Sequence, residues 1–165
     1  AHKKGRVVDV NQALDGEGPF SAERSGTLPA GDLVRLCFSG KYTKSEVMKM
    51  ICGKGGYAAY LGTNSAYEVG QRISAGDQEA RKIQEAMIYQ VSKEIGAMSV
   101  VLKGEVDAIL LTGGIANDKL FVEDIKDWVH HIAPVFVYPG EDEMRALAFN
   151  GLMVLEGKVK PKEYE

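Results

Sequence analysis

The chain has 165 residues, 45% hydrophobic and 26% charged, with a net charge of −3. This supports one compact domain with a large core and excludes disordered, collagen-like and mucin-like classes. It also argues against a nucleic-acid binder: Lys3, Lys4 and Arg6, and Lys158, Lys160 and Lys162, form short terminal basic clusters rather than a face.

Taken in chain order, Arg6–Val10 alternates and is β-branched, which predicts a strand. Residues 11–29 are rich in Gly, Ser, Asp and Pro and predict a long irregular loop of the functional kind. A helix is expected over Ala30–Phe38, and a capping box at Thr43 and Glu46 opens a second through Ile51. Gly53-Lys54-Gly55-Gly56 stops it. Tyr57–Leu61 leads to a Gly62-Thr63-Asn64-Ser65 turn and a helix over Ser65–Ala75. Asp77 caps the longest helix, which runs through Lys103 with Ile83, Ala86, Met87, Ile95, Met98 and Leu102 near a 3.6 period. Gly96 within it suggests a closely approaching neighbour.

Asp107–Thr112 reads as a buried central strand, followed by a tight turn over Gly113–Asn117. Asp118 caps a helix to His131 with Leu120, Ile125 and Trp128 expected inward. Pro134–Tyr138 is a second buried strand. Asp142–Glu156 is a final helix carrying Met144, Leu147, Ala148, Leu152 and Leu155. Strands alternating with helices imply an α/β fold with a partly parallel sheet. No apolar run approaches the roughly 20 residues of a membrane span. Cys37 and Cys52 form no CxxC, and reduced cytoplasmic thiols are the simpler reading.

The P-loop pattern, GxGxxG, GxSxG and HExxH are all absent. His130 and His131 point about 100° apart on a helix and suit its C-terminal dipole better than a shared metal. Four segments carry chemistry. In Leu110–Asp118 (LLTGGIAND) a strand runs into Gly113-Gly114 and a helix start, where a base or phosphate can lie on bare backbone. A tight turn that binds nothing fits the same residues. Gly53–Gly62 with Thr63, Asn64 and Ser65 is either a phosphate turn or two ordinary helix ends. Arg24, in its irregular loop, either binds an anion bidentately or forms an exposed ion pair. Glu141, Asp142 and Glu143 either complement a helix dipole or hold Mg²⁺.

In order and spacing these segments resemble the butyrate kinases of the acetate kinase family. The resemblance runs through AHKKGRVVDVN at Ala1–Asn11, DGEGPFS at Asp15–Ser21, RSG at Arg24–Gly26 and GKGG at Gly53–Gly56. It continues in YLGTN at Tyr60–Asn64, LKGEVDAILLTGGIAN at Leu102–Asn117 and APVFVYPGEDE at Ala133–Glu143. It implies a ribonuclease H-like, actin-like ATPase (ASKHA) domain with a mixed sheet flanked by helices. It further implies transfer of the ATP γ-phosphoryl group to butyrate or a related short or branched fatty acid, with Mg²⁺. Residues 1–165 would be the C-terminal nucleotide-binding domain of a two-domain acyl kinase, inactive by itself.

Carried over by motif, Arg24 would steady the transferring phosphoryl group. Gly62, Thr63, Asn64 and Ser65 would lie beside the nucleotide phosphates, and Gly113, Gly114, Ile115 and Asn117 around the adenosine. Glu143 would support Mg²⁺, with Glu141 as the fallback. A cytoplasmic homodimer or larger homo-oligomer is implied, with no nucleic-acid or membrane partner. One motif departs from the family: where relatives read N-D-A-R-E, this chain reads Asn64-Ser65-Ala66-Tyr67-Glu68. Loss of a positioned arginine beside a phosphoryl group costs on the order of 10²–10³-fold in rate. The alternative expectation is therefore a non-catalytic nucleotide-binding or interaction module derived from an acyl kinase.

Overall fold

The computed structural model describes residues 1–140, 142–161 and 163, so Glu141 and Lys162 lie outside the described residues. The chain opens with a small hairpin, β1 (His2–Lys3) against β2 (Arg6–Val7). Lys4 and Gly5 turn it, both at positive φ, which is the primed-turn geometry that suits hairpin twist. This replaces the single strand expected over Arg6–Val10: the turn consumes the residues before Arg6, and pairing ends at Val7.

Helices α1 (Ala30–Cys37), α2 (Lys44–Ile51) and α3 (Gly56–Leu61) follow, then α4 (Ala66–Ser74) and the 24-residue α5 (Gln78–Val101). Their starts are chemically fixed. Thr43 and Glu46 complete a reciprocal capping box, Ser65 Oγ accepts from Glu68 N, and Asp77 accepts from Ala80 N. Each such cap contributes roughly 1 kcal/mol. Strand β3 (Ile109–Gly113), helix α6 (Lys119–Val129), strand β4 (Val135–Pro139) and helix α7 (Glu143–Leu155) complete the order.

Helix α5 is the spine of the core. It buries Ala80, Met87 and Ile88 against Phe121, Ile125 and Val129 of α6, with Tyr57, Val69 and Ile109 in the same cluster. Arg81 Nη2 reaches Asp124 of α6 at 2.8 Å while its Nε donates to Glu85, which ties the helix pair at its edge. The buried face of α6 is Phe121, Val122, Ile125 and Val129. Of the residues expected inward, only Ile125 is buried; Leu120 and Trp128 are about half exposed. Trp128 instead meets Tyr89 of α5 edge-on, ring centroids 5.8 Å apart, outside the seam. Gly96 has open space where a Cβ would project, so no close neighbour explains it.

β3 and β4 pair in parallel, Ile109 opposite Val135 through Gly113 opposite Pro139. Thus the described sheets are one antiparallel and one parallel pair rather than a single mixed sheet. Ile109 and Leu111 face the helical core, while Leu110, Thr112, Phe136 and Tyr138 alternate to an uncovered face. Helix α7 buries none of its residues; Met144, Leu147, Leu152 and Leu155 are all exposed. No helix among the described residues is long and apolar enough to cross a membrane. Both cysteines are free.

Candidate functional site

Parallel pairing brings the carboxyl ends of β3 and β4 together, and the loops that leave them share one edge of the sheet. Gly113 N–H donates to Gly140 O at 3.2 Å, and Gly140 N–H to Gly113 O at 3.0 Å. Gly113 sits at φ +85°, a region that L side chains rarely enter. A Cβ on Gly113 or Gly114 would find nothing within 4 Å, so bare backbone faces open space there.

Gly114–Asn117 then forms a 3₁₀ turn, closed by Asn117 Nδ2 donating to Gly114 O at 2.9 Å. Ala116 is buried and Ile115 packs against the core, so these two side chains anchor the turn from below. Asp118 fixes its exit. Its Oδ1 accepts from Leu120 N and Phe121 N at 3.0 and 3.2 Å, and its Oδ2 accepts from Gln84 Nε2 at 2.9 Å. Gln84 is 1% exposed. Sequence reasoning missed it; the available signal was an amide on the apolar stripe between Ala80 and Met87.

Beside Gln84 lies Tyr57, wholly buried, and neither Tyr57 Oη nor Gln84 Oε1 has a hydrogen-bond partner among the described residues. Burial pushes the Tyr57 phenol well above its ordinary value, with Gln84 opposing, so it stays neutral.

The Arg24 loop is stitched to the Gly53–Gly56 turn by backbone bonds. Glu23 O accepts from Gly53 N and Gly55 N, Ser25 N donates to Ile51 O, and Tyr57 N donates to Ser21 O. The glycines are required by this approach. A Cβ on Gly55 would lie 2.4 Å from Ser25 N, and one on Gly56 would lie 1.7 Å from Ser21 O. Gly55 and Gly56 therefore hold the arginine loop in place. Arg24 has no ion-pair partner among the described residues, so it is not the exposed salt bridge that the residue alone allows.

The next turn is joined to this loop by one side-chain bond, Asn64 Nδ2 to Glu23 Oε2 at 3.1 Å. Gly62 ends α3 at φ +73°. Thr63 Oγ1 donates to Glu68 Oε2 at 2.7 Å and accepts from Ser65 N at 3.2 Å. Helix α4 leads from this turn to the β3 loop. A cleft of about 670 Å³ opens between Ala66, Tyr67 and Gly70 on one side and Gly114, Asn117 and Asp118 on the other. That is within the roughly 300–1,000 Å³ of small-molecule sites. The Asn64–Glu23 bond thus links the arginine loop to the Gly62–Ser65 turn, and α4, which follows that turn directly, lines the cleft.

Glu143 is the first residue of α7, three positions past Gly140 on the same sheet edge, and it is exposed. No three His, Cys, Asp or Glu side chains gather into a metal cage among the described residues. A single carboxylate suits Mg²⁺ all the same, because that ion keeps waters and binds chiefly through substrate phosphates.

The acetokinase family model matches residues 1–135. The chain belongs to the acetokinase family. Butyrate kinase 2 of Clostridium acetobutylicum is 57% identical over 165 residues, which is 100% of this chain and 46% of that protein. The chain thus spans about half the length of the curated relatives it matches. Among solved structures, an acetate kinase of Porphyromonas gingivalis superposes with a TM-score of 0.71 at 18% identity, over 86% of this chain and 41% of that one. A propionate kinase of Francisella tularensis gives 0.67 at 20%, over 79% and 39%. The fold is the α/β, ASKHA-type fold of these kinases.

Proposed function

We propose that this chain is the C-terminal nucleotide-binding domain of a two-domain acyl kinase, which transfers the ATP γ-phosphoryl group to butyrate or a similar short fatty acid. The observation that carries the reading is the hydrogen bond that Asn64 Nδ2 donates to Glu23 Oε2, which couples the arginine loop to the turn preceding the cleft-lining helix α4. The naming of its 57% identical relative as a butyrate kinase supports the acyl acceptor.

In this account the nucleoside enters the cleft over the bare backbone of Gly113 and Gly114, with Ile115 holding the turn from the core side and Asn117 closing it. Phosphates lie along Gly62, Thr63, Asn64 and Ser65. The Arg24 guanidinium, without an ion-pair partner among the described residues, supplies a cation where charge spreads over the transferring oxygens. Phosphoryl transfer asks mainly for such positioning and charge stabilisation. Backbone bonds on both sides of Arg24 hold the loop from which its side chain projects. Mg²⁺, when bound, would neutralise phosphate charge, and Glu143 would support it directly or through water. The carboxylate-binding residues belong to the part of the kinase outside this chain.

The test is steady-state ADP release by the complete gene product with ATP, Mg²⁺ and butyrate. Arg24→Ala should lower kcat by roughly 10²–10³-fold with little change in ADP affinity. An Arg24→Ala enzyme with wild-type kcat would remove the arginine from the reaction. A folded wild-type protein with no carboxylate-dependent turnover would remove the reading itself.

A further inference from the structure

Tyr67 occupies the position where the family motif has arginine, and the structure shows where that side chain goes. It lines the cleft between α4 and the Gly114–Asn117 turn. Its side chain is largely solvent-exposed, yet its hydroxyl is tethered by Gln71 Nε2, which donates to Tyr67 Oη at 2.8 Å along the same helix face. Gln71 also lines the cleft. An exposed aromatic ring tied at its tip lines one side of the cleft, and the bare backbone of Gly114 lines the other, which has the form of a slot for a flat ligand.

We infer that Tyr67 is a base-stacking residue that sets nucleobase affinity in this protein. The inference rests on the nucleotide reading above and adds a residue to it. An aromatic face is tolerant of base identity, because every base has a π-face to offer. Selectivity then falls to the polar rim. Asn117 donates its Nδ2 to Gly114 O, a group that can only accept, so its Oδ1 is left as an acceptor at the rim. Facing position 6 of a purine, an acceptor can bond the amine of adenine but not the keto oxygen that guanine carries there. Tyr67 thus replaces a cation by a stacking surface, and the departure from the family motif changes how the nucleotide is held without emptying the site.

Calorimetric titration of the complete gene product with ADP, GDP and inorganic tripolyphosphate tests this, using wild type, Tyr67→Phe and Tyr67→Ala. Stacking on an aromatic side chain corresponds to roughly a 5- to 150-fold change in affinity on truncation to alanine. Tyr67→Ala should weaken ADP by that factor and leave tripolyphosphate, which has no base, unchanged. Tyr67→Phe should bind ADP within about twofold of wild type, since the ring is kept. Wild type should prefer ADP to GDP. Equal ADP affinity in Tyr67→Ala and wild type would overturn the inference, as would a parallel loss for tripolyphosphate. Wild type that binds no ADP would overturn the nucleotide reading first, a result distinct from either.

Discussion

Replacing Gly56 by alanine tests the claim that the glycine pair positions Arg24. Gly56 has φ +55°, and an added Cβ would lie 1.7 Å from Ser21 O, 2.8 Å from Ser21 C and 3.0 Å from Arg24 O. All three are backbone atoms, so no side-chain rotation relieves the clash. The loop must lift away, which breaks Tyr57 N to Ser21 O and Ala58 N to Ala22 O. Each lost bond costs about 0.5–1.5 kcal/mol net, and the left-handed backbone adds about 1–2 kcal/mol for a residue with a Cβ. The sum is about 2–5 kcal/mol, or roughly 4–20 °C in Tm for a protein of this size or larger. Gly53→Ala is the control. Its φ is +109° but a Cβ there meets nothing within 4 Å, so only backbone strain applies. Thermal unfolding and kcat are measured on both variants. Gly56→Ala should lose more stability than Gly53→Ala and should lose turnover through Arg24. Equal melting temperatures and unchanged turnover would refute the positioning argument.

Gln84→Leu leaves Asp118 without its buried partner and should cost about 1–3 kcal/mol in urea unfolding, with weaker ADP binding because the Gly114–Asn117 turn loosens. Wild-type ADP affinity in a folded Gln84→Leu protein would separate the amide from the turn. Asp77 has its carboxyl held below the ordinary 3.8 by the Ala80 N–H at the start of α5 and then by Arg72. Its stabilisation is therefore full above pH 3.8 and fades as pH falls through the lower folded value. The stability gap between wild type and Asp77→Asn should be constant at neutral pH and shrink in acid. A gap that widens in acid would contradict the assigned sign.

Much of the helical framework was legible because helix starts are local chemistry. Thr43, Asp77 and Asp118 each announce a cap, and each makes the expected bond. The strand over Asp107–Thr112 was legible as an apolar run and forms two residues later, at Ile109. Less legible was the phase of each apolar stripe. Leu120 and Trp128 share a helical face with each other, but Phe121, Val122, Ile125 and Val129 win the core because α5 approaches from that side. Helix α7 has the apolar content of a core helix, yet nothing among the described residues covers it.

Candidate site residues were chosen by motif, while the bonds that hold their loops left little trace in the sequence. Gly55 and Gly56 look like a phosphate turn in the sequence and prove to be sites of close backbone approach, a long-range fact. The Gln84 to Asp118 bond spans 34 positions and leaves only an out-of-pattern amide as its trace. Ile115, expected beside the adenosine, is partly buried and packs against the core, a contact its motif does not reveal.

The proposed reaction is phosphoryl transfer to a carboxylate. The direct measurement is hydroxylamine trapping of acyl phosphate made by the complete gene product from ATP, Mg²⁺ and a short fatty acid. Butyrate-dependent hydroxamate, formed in step with ADP and at a rate lowered roughly 10²–10³-fold by Arg24→Ala, is the predicted result. A folded, ADP-binding protein that yields no hydroxamate with any short carboxylate would contradict it.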